Sequence, residues 1–204
     1  MTAGQKAVLF DYGNVLVRWD PRTLYRKLFA DPAEMERFLA EVCTLDWHLA
    51  HDSGAPMAAS TAALAAAHPR YAAEIRAWDE RFGEMIDGEI EGAAELIDAL
   101  RAQGHKIGVL TNMPADQAWP CLKVWSRWEQ FDTVVVTGFL KTAKPEAHAF
   151  RIALAALDIA PADVFFTDDS PRNVAAAHAL GFDSHLFTGM DDLAKALRAG
   201  GFLP

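Results

Sequence analysis

Cysteine is scarce in this sequence of 204 residues, which contains only Cys43 and Cys121. Because the two are far apart and form no CxxC spacing, we expect neither a disulfide framework nor a structural zinc site, and a reducing compartment is the default. Long apolar runs are also absent, since no stretch approaches the roughly 20 apolar residues of a membrane span. The first apolar run covers residues 7–10, which is too short for a signal peptide. These absences predict a soluble, cytoplasmic protein without a membrane partner.

The chain has fewer basic residues than acidic residues. There are 28 acidic residues against 19 lysines and arginines, for a formal net charge of −9. A chain this acidic is a poor general binder of nucleic acid, so we expect no nucleic-acid partner, and an anionic substrate would need a local positive pocket. The hydrophobic fraction of 51% is typical of a globular protein, and the length favours one core with a modest insertion. The sequence leaves the oligomeric state open.

Apolar strands and helices alternate along most of the chain. The strands are predicted at 6–11, 106–111, 132–137, 163–167 and 184–187. This alternation predicts an α/β fold with a doubly wound, Rossmann-like parallel sheet. Residues 18–88 are instead alanine-rich and helical, with one long amphipathic helix over 70–85, so we interpret them as a small helical cap inserted after the first strand. The expected division is a core of residues 1–17 and 89–204 and a cap of residues 18–88.

Polar side chains follow the predicted strands at the points where the strands end. In a parallel sheet the carboxyl ends of the strands share one edge, and chemistry gathers there. Taken singly, each side chain could be a turn residue, a helix cap or a solvated charge. Their joint placement at one edge predicts a catalytic site instead. The side chains are Asp11, Thr111, Asn112, Lys144, Asp168 and Asp169.

The four segments that contain these residues read FDYGNVL, LTN, KP and FFTDDSPRN in chain order. In this order they resemble the haloacid dehalogenase (HAD) superfamily of hydrolases, over essentially the whole chain. The DxGNV form of the first segment most resembles the bacterial phosphatases that include sugar-1-phosphate phosphatases. The resemblance implies a Rossmann-like core with a cap. It also implies an enzyme that uses Mg²⁺ to hydrolyse a small phosphorylated substrate, such as a sugar phosphate, through an aspartyl-phosphate intermediate.

The resemblance also assigns roles to the residues at the strand ends. It implies that Asp11 is the nucleophile, and that Mg²⁺ is held by Asp11, the backbone carbonyl of Gly13 and Asp169. Hard oxygen donors of this kind suit Mg²⁺. Asp168 is expected to be either a further ligand or a support for the site, and Asn173 is expected to hold the waters of the metal.

The remaining residues of the pattern would bind the phosphoryl group. Thr111 is expected to hydrogen-bond one of its oxygens, with Asn112 beside it. A lysine is expected to neutralise both the nucleophile and the phosphate. Lys141 and Lys144 compete for this role, and the Pro145 that follows Lys144 matches the family pattern and favours Lys144.

The sequence departs from the family pattern at Gly13, where phosphatases of the superfamily usually carry an aspartate that acts as general acid and base. General acid–base catalysis typically contributes about 10²–10⁴-fold. We therefore expect slow hydrolysis of simple alkyl phosphates and a smaller defect with good leaving groups, such as aryl, acyl or anomeric phosphates. A side chain from the cap could substitute, although each candidate is equally an ordinary capping or packing residue. The candidates are Asp20, Asp46, His48 and His51.

Two other functions stay open. A 2-haloacid dehalogenase of the same superfamily also uses an aspartate nucleophile and tolerates loss of the second aspartate, but it needs no metal. Those enzymes resemble DxYGT and SSN where this chain has DYGNV and TDDSPRN, and an acidic pair would repel their carboxylate substrate. The other alternative is a HAD-like binding module that has lost catalysis, against which the retention of Asp11, Thr111, Lys144 and Asp169 argues.

Overall fold

The central element of the fold is a five-stranded parallel sheet. The computed structural model describes residues 5–204, so residues 1–4 of the predicted core lie outside the described residues. The strands are β1 (Ala7–Phe10), β2 (Val17–Trp19), β3 (Ile86–Glu89), β4 (Lys106–Thr111), β5 (Thr133–Val136), β6 (Val164–Asp168) and β7 (Asp183–Leu186). The order in the sheet is β5-β4-β1-β6-β7, and neighbouring strands run parallel. The predicted α/β class and parallel sheet are therefore confirmed.

Helices cover both faces of this sheet. They are α1 (Pro21–Tyr25), α2 (Pro32–Glu41), α3 (Leu45–Asp52), α4 (Met57–Ala67), α5 (Ala72–Glu80), α6 (Ala93–Ala102), α7 (Ala118–Leu122), α8 (Ala147–Leu157), α9 (Pro171–Ala179) and α10 (Met190–Ala199). Successive side chains of a strand point to opposite faces. Val8 and Phe10 accordingly pack in one hydrophobic core with Ile97 of α6, whereas Leu9 packs in a second core with Phe150 of α8. Within residues 5–204, none of the helices combines the length and apolar character of a membrane crossing.

β1 lies at the centre of the sheet, between β4 and β6. Phe10 is in register with Val109 on β4 and with Thr167 on β6, so the three strands end close to the same level. The backbone N–H of Asp11 extends the pairing by donating to the carbonyl of Thr167 at 2.9 Å. The residues that follow these strands are therefore neighbours at one edge of the sheet.

A helical segment, residues 21–80, lies between β2 and β3 in the chain. β2 and β3 pair antiparallel as a two-stranded ribbon, and the Arg18 guanidinium donates to the carbonyls of Asp87 and Glu89 at 2.6 and 2.8 Å. The sequence does not predict this ribbon, because its strands have 3 and 4 residues and IDGE shows no apolar alternation. The ribbon carries both chain connections between the sheet and the helical segment.

The long helix predicted over 70–85 is interrupted at both ends. α5 covers only Ala72–Glu80, and short 3₁₀ turns precede and follow it at Pro69–Tyr71 and Phe82–Met85. Proline at the start and Gly83 at the end account for this, since both are poor residues for a helix interior. The apolar residues that predicted one helix are therefore distributed over three consecutive helical elements.

Candidate active site

A cavity of about 510 Å³ opens between the carboxyl edge of the sheet and the helical segment. Most of the residues that the sequence predicts at the site line it. On the sheet side these are Asp11, Gly13, Thr111, Asn112, Lys144, Asp169 and Asn173. On the opposite side the lining includes Trp19, Leu45, His48, Leu49, Asp52 and Phe82. One side of the cavity is therefore rich in charge, and the other is largely apolar.

Asp11 follows β1 directly and is held in one orientation. Its Oδ1 accepts the backbone N–H of Tyr12 at 2.7 Å and lies 2.8 Å from the ammonium of Lys144. Asp11 is 8% exposed. Burial raises the pKa of Asp11 to about 7, the charge of Lys144 opposes this rise, and the carboxylates of Asp168 and Asp169 add to it. Asp11 thus lines the cavity beside a cation that favours its ionised form.

Lys144 lies between two carboxylates. Its ammonium is 2.8 Å from Asp11 and 2.7 Å from Asp168, and its side chain is completely buried. Burial lowers the pKa of Lys144, but the two carboxylates outweigh burial and the net shift is upward. Lys144 therefore stays cationic in the structure and neutralises much of the charge of the acidic residues around it.

The backbone of Lys144 is fixed by Asn112. Asn112 Nδ2 donates to the carbonyl of Lys144 at 2.9 Å, and the N–H of Lys144 donates to Asn112 Oδ1 at 2.8 Å. Asn112 thus holds the lysine against the end of β4. Lys141, the competing candidate, is exposed and has a left-handed backbone with φ of 54°. The structure brings Lys144, and not Lys141, to Asp11.

Asp168 is fully buried and its contacts are internal. Its Oδ1 accepts the backbone N–H of Ser170 and Nδ2 of Asn173, both at 2.9 Å, while Oδ2 accepts from Lys144. These bonds satisfy both oxygens. Asp168 therefore holds Lys144 in place. Asn173 donates to this carboxylate and also lines the cavity, and its expected role towards the waters of a metal stays a prediction.

Asp169 is exposed and lines the cavity beside Asp11. Burial and the charge of Asp168 raise the pKa of Asp169. One carboxylate oxygen from each of Asp11, Asp168 and Asp169 lies within 4.8 Å of the others. A cluster of hard, anionic oxygen donors at this spacing suits a divalent cation such as Mg²⁺. The three carboxylates of the predicted metal site are thus close together, and their oxygens suit that ion.

The four candidates to replace the general acid that is missing at Gly13 lie in different surroundings. Asp20 accepts the N–H of Arg22 at 2.9 Å and caps α1, and Asp46 is exposed on α3. His48 and His51 are buried on the same helix, and His48 lines the cavity. The sequence reasoning overlooked Asp52, which also lines the cavity and is 5% exposed. Its spacing of one helical turn from His48 is the signal that was available.

His48 and Asp52 form a pair on α3. His48 Nε2 lies 3.5 Å from Asp52 Oδ1, and His48 Nδ1 accepts the indole N–H of Trp78 at 3.3 Å. Because Nδ1 accepts, the imidazole hydrogen belongs on Nε2, on the side of Asp52. Burial lowers the pKa of His48 to about 3, and burial raises the pKa of Asp52 to about 7 against the opposing charge of Lys144.

Two of the curated proteins that this chain resembles are phosphatases. The phosphoglycolate phosphatase of Cupriavidus necator is 32% identical over 127 residues, which is 62% of this chain and 52% of that protein. The sesquiterpene phosphatase of Aspergillus oryzae is 29% identical over 86 residues, which is 42% of this chain and 44% of that protein. The chain thus spans about half the length of these relatives.

A solved structure shares the architecture over more of the chain. It is a HAD family enzyme from Bacteroides thetaiotaomicron in complex with magnesium and inorganic phosphate, with a TM-score of 0.67 and 20% identity, covering 91% of this chain and 96% of that one. At this identity the likeness shows the fold alone. The sequence model of one family, described as haloacid dehalogenase-like hydrolase, matches residues 5–181. Since this match covers most of the chain, the protein belongs to the haloacid dehalogenase-like hydrolases.

Proposed function

We propose that this protein is a Mg²⁺-dependent phosphatase that hydrolyses phosphoric monoesters of small molecules through an aspartyl-phosphate on Asp11. One observation carries the proposal: a cavity-facing aspartate has a buried lysine 2.8 Å away and two further carboxylates beside it. An anionic phosphoryl group can approach an anionic nucleophile only where fixed cations offset the charge. Lys144 supplies one such cation.

A divalent cation would supply the second positive charge. Asp11, the backbone carbonyl of Gly13 and Asp169 would hold Mg²⁺, which when bound withdraws charge from the phosphoryl oxygens. Asp168 is the weaker ligand candidate, because its two oxygens already accept protein hydrogen bonds. The magnesium and phosphate in the Bacteroides thetaiotaomicron enzyme support this cofactor for the fold.

Each residue of the site has a separate role in the proposed reaction. Asp11 attacks phosphorus, and the bond to the leaving oxygen breaks. Thr111, 2% exposed at the end of β4, would donate its hydroxyl to a phosphoryl oxygen, and Lys144 offsets the charge. Water then attacks phosphorus and releases inorganic phosphate, which regenerates the Asp11 carboxylate.

The leaving group would occupy the apolar side of the cavity. Leu45 and Leu49 are 58% and 48% exposed there, beside Trp19 and Phe82. Such a wall favours a leaving group with an apolar face, such as an aryl group, the carbon face of a sugar ring or a hydrocarbon chain. The phosphatase relatives support a small phosphorylated substrate of this general class.

The test is hydrolysis of 4-nitrophenyl phosphate and a panel of phosphorylated metabolites, with Mg²⁺ and with EDTA. We expect phosphate release with Mg²⁺, no release with EDTA, and no turnover by Asp11→Asn. Asp46→Asn, which removes the same charge from an exposed position, is the matched control and should keep the wild-type rate. Inactivity towards the whole panel, or activity indifferent to EDTA, would refute the proposal. Halide release from 2-chloropropionate without Mg²⁺ would favour the dehalogenase instead.

A further inference from the structure

We propose that Asp52 is the general acid and base of this site, donating a proton to the leaving oxygen and later removing one from water. The inference rests on the proposed phosphatase function. It assigns to Asp52 the acid–base role that Gly13 cannot perform, because glycine has no side chain. The observations are the position of Asp52 in the cavity, the absence of a hydrogen bond to its Oδ1, and its attachment to the core.

Asp52 lies in the cavity wall that faces the phosphoryl site. Among the described residues of the helical segment, the titratable side chains that line the cavity are His48 and Asp52. Asp52 Oδ1 is buried and makes no hydrogen bond within residues 5–204, since His48 Nε2, 3.5 Å away, is too far for a normal one. Leaving a buried carboxylate oxygen without a hydrogen bond is costly, so the protonated form of Asp52 is favoured. Trp19 Nε1, in the same wall, is unpartnered too.

The end of α3 is attached to the core, which fixes the position of Asp52 relative to the edge of the sheet. Its backbone carbonyl accepts the hydroxyl of Thr137 at 2.7 Å. Gly54 has φ of +93°, and a Cβ there would lie 2.8 Å from the carbonyl oxygen of Gly138. Only glycine allows this contact. The helix that carries the proposed acid therefore rests directly on the turn that follows β5.

The charges around Asp52 favour a carboxyl group that exchanges its proton near neutral pH. His48 on its own helix lies 3.5 Å from Asp52, the charge of Lys144 on the core acts on it, and Asp11 lines the same cavity. Burial raises the pKa of Asp52 to about 7, and Lys144 lowers it. His48 stays neutral, because burial lowers its pKa to about 3. The protonated and ionised forms of Asp52 are thus both accessible at neutral pH, as an acid–base group requires.

The proton transfers balance without a further reactant. In the first step Asp11 bonds to phosphorus, the bond to the leaving oxygen breaks, and that oxygen keeps the electron pair and takes the proton of Asp52. In the second step the Asp52 carboxylate takes a proton from water as the water oxygen bonds to phosphorus. The bond between phosphorus and Asp11 then breaks, with its electron pair returning to the Asp11 carboxylate. Inorganic phosphate leaves, and Asp52 is protonated again.

The experiment compares Asp52→Asn with the wild-type protein on phenyl phosphate, a poor leaving group, and on 4-nitrophenyl phosphate, a good one. With phenyl phosphate we expect kcat/KM to fall by about 10²-fold or more, the usual contribution of a general acid. With 4-nitrophenyl phosphate kcat/KM should change far less, since nitrophenolate leaves unprotonated. The kcat for 4-nitrophenyl phosphate should still fall, because no general base activates the water that hydrolyses the aspartyl-phosphate. A burst of about one nitrophenolate per protein, and a phosphoryl adduct in the intact mass, would follow.

Asp46→Asn, on the exposed side of the same helix, is the matched control and should show neither effect. An Asp52→Asn protein that retains phenyl phosphate hydrolysis, or that loses kcat/KM equally on both substrates, would overturn the inference. If the wild-type protein hydrolyses neither substrate with Mg²⁺, the proposed function itself has failed.

A measurement on the wild-type protein covers the case in which the variant does not fold. The ratio of kcat/KM for phenyl phosphate to that for 4-nitrophenyl phosphate should fall as the pH rises through neutrality, because the acid loses its proton. Titration of Asp11 affects both substrates alike and cancels in this ratio. A ratio independent of pH between 5 and 9, roughly two units either side of neutrality, would exclude Asp52 as the acid.

Discussion

Replacing Lys144 by methionine tests whether one buried cation holds the site together. The substitution removes the ammonium that lies 2.8 Å from Asp11 and 2.7 Å from Asp168, and these residues are 8% and 0% exposed. Removing one partner of a buried ion pair typically costs about 3–5 kcal/mol, because the remaining charge cannot reach water. For a chain of this length each kcal/mol lowers Tm by about 2–4 °C. We expect Tm at pH 8 to fall by about 6–20 °C.

The loss should depend on pH in a definite direction. Burial already raises the pKa of Asp11 to about 7 with Lys144 present, and removal of Lys144 raises it further. A carboxyl group whose pKa is higher in the folded state stabilises the protein at low pH, and this contribution is lost as the pH rises through the folded-state pKa. The deficit of Lys144→Met relative to the wild type should therefore be larger at pH 8 than at pH 5.

The assays are thermal unfolding, which gives Tm at pH 8, and urea unfolding at both pH values. Both are followed by tryptophan fluorescence in EDTA, so that no divalent cation replaces the ammonium. Lys141→Met is the matched control, since Lys141 is exposed, and its unfolding free energy should stay within about 0.5 kcal/mol of the wild type. Wild-type stability of Lys144→Met at pH 8, or an equal loss at the two pH values, would refute the reasoning.

Four further substitutions concern single carboxylates and the glycine two residues after the nucleophile. Asp169→Ala should raise the Mg²⁺ concentration needed for half-maximal phosphatase activity by at least about tenfold. Asp11→Asn should abolish activity at every Mg²⁺ concentration. Titration of the activity with Mg²⁺ tests both predictions. Gly13→Asp should increase kcat/KM for phenyl phosphate in steady-state assays, since the nearest atom to a Cβ there is Trp19 Cβ at 3.9 Å and leaves room for a second acid. Asp52→Asn should stabilise the fold by up to about 4 kcal/mol at pH 8 and by little at pH 4 in urea unfolding, because a pKa raised from 3.8 to about 7 penalises the ionised carboxylate.

The sheet and its polar edge were predictable because both depend on local patterns. Short apolar runs that alternate with helices specify a parallel sheet, and the carboxyl ends of its strands must meet. That rule alone brings Asp11, Thr111 and Asp168 together. Pro145 already favoured Lys144 over Lys141 in the sequence, and the structure brings Lys144 to Asp11 while Lys141 stays exposed.

The side of the site that the helical segment contributes was not predictable in the same way. Asp46 and Asp52 are both aspartates on α3, and the one-turn spacing of Asp52 from His48 does not by itself show which of them is buried. What distinguishes them is burial, 5% exposure at Asp52 against an exposed Asp46, and this depends on how α3 packs against Thr137 and Trp78. Such contacts join distant parts of the chain, so neither composition nor periodicity reports them.

The central position of β1 has a consequence for the order in which the protein can mature. Ala7 pairs on one side with Lys106 and on the other with Val164, so β1 must wait for partners that are synthesised much later in the chain. Until β6 emerges, β1 lacks a neighbour on one side and offers an open edge to other chains. Newly made chains should therefore depend on protection from aggregation during synthesis, and fragments that stop before residue 164 should be insoluble as well as inactive.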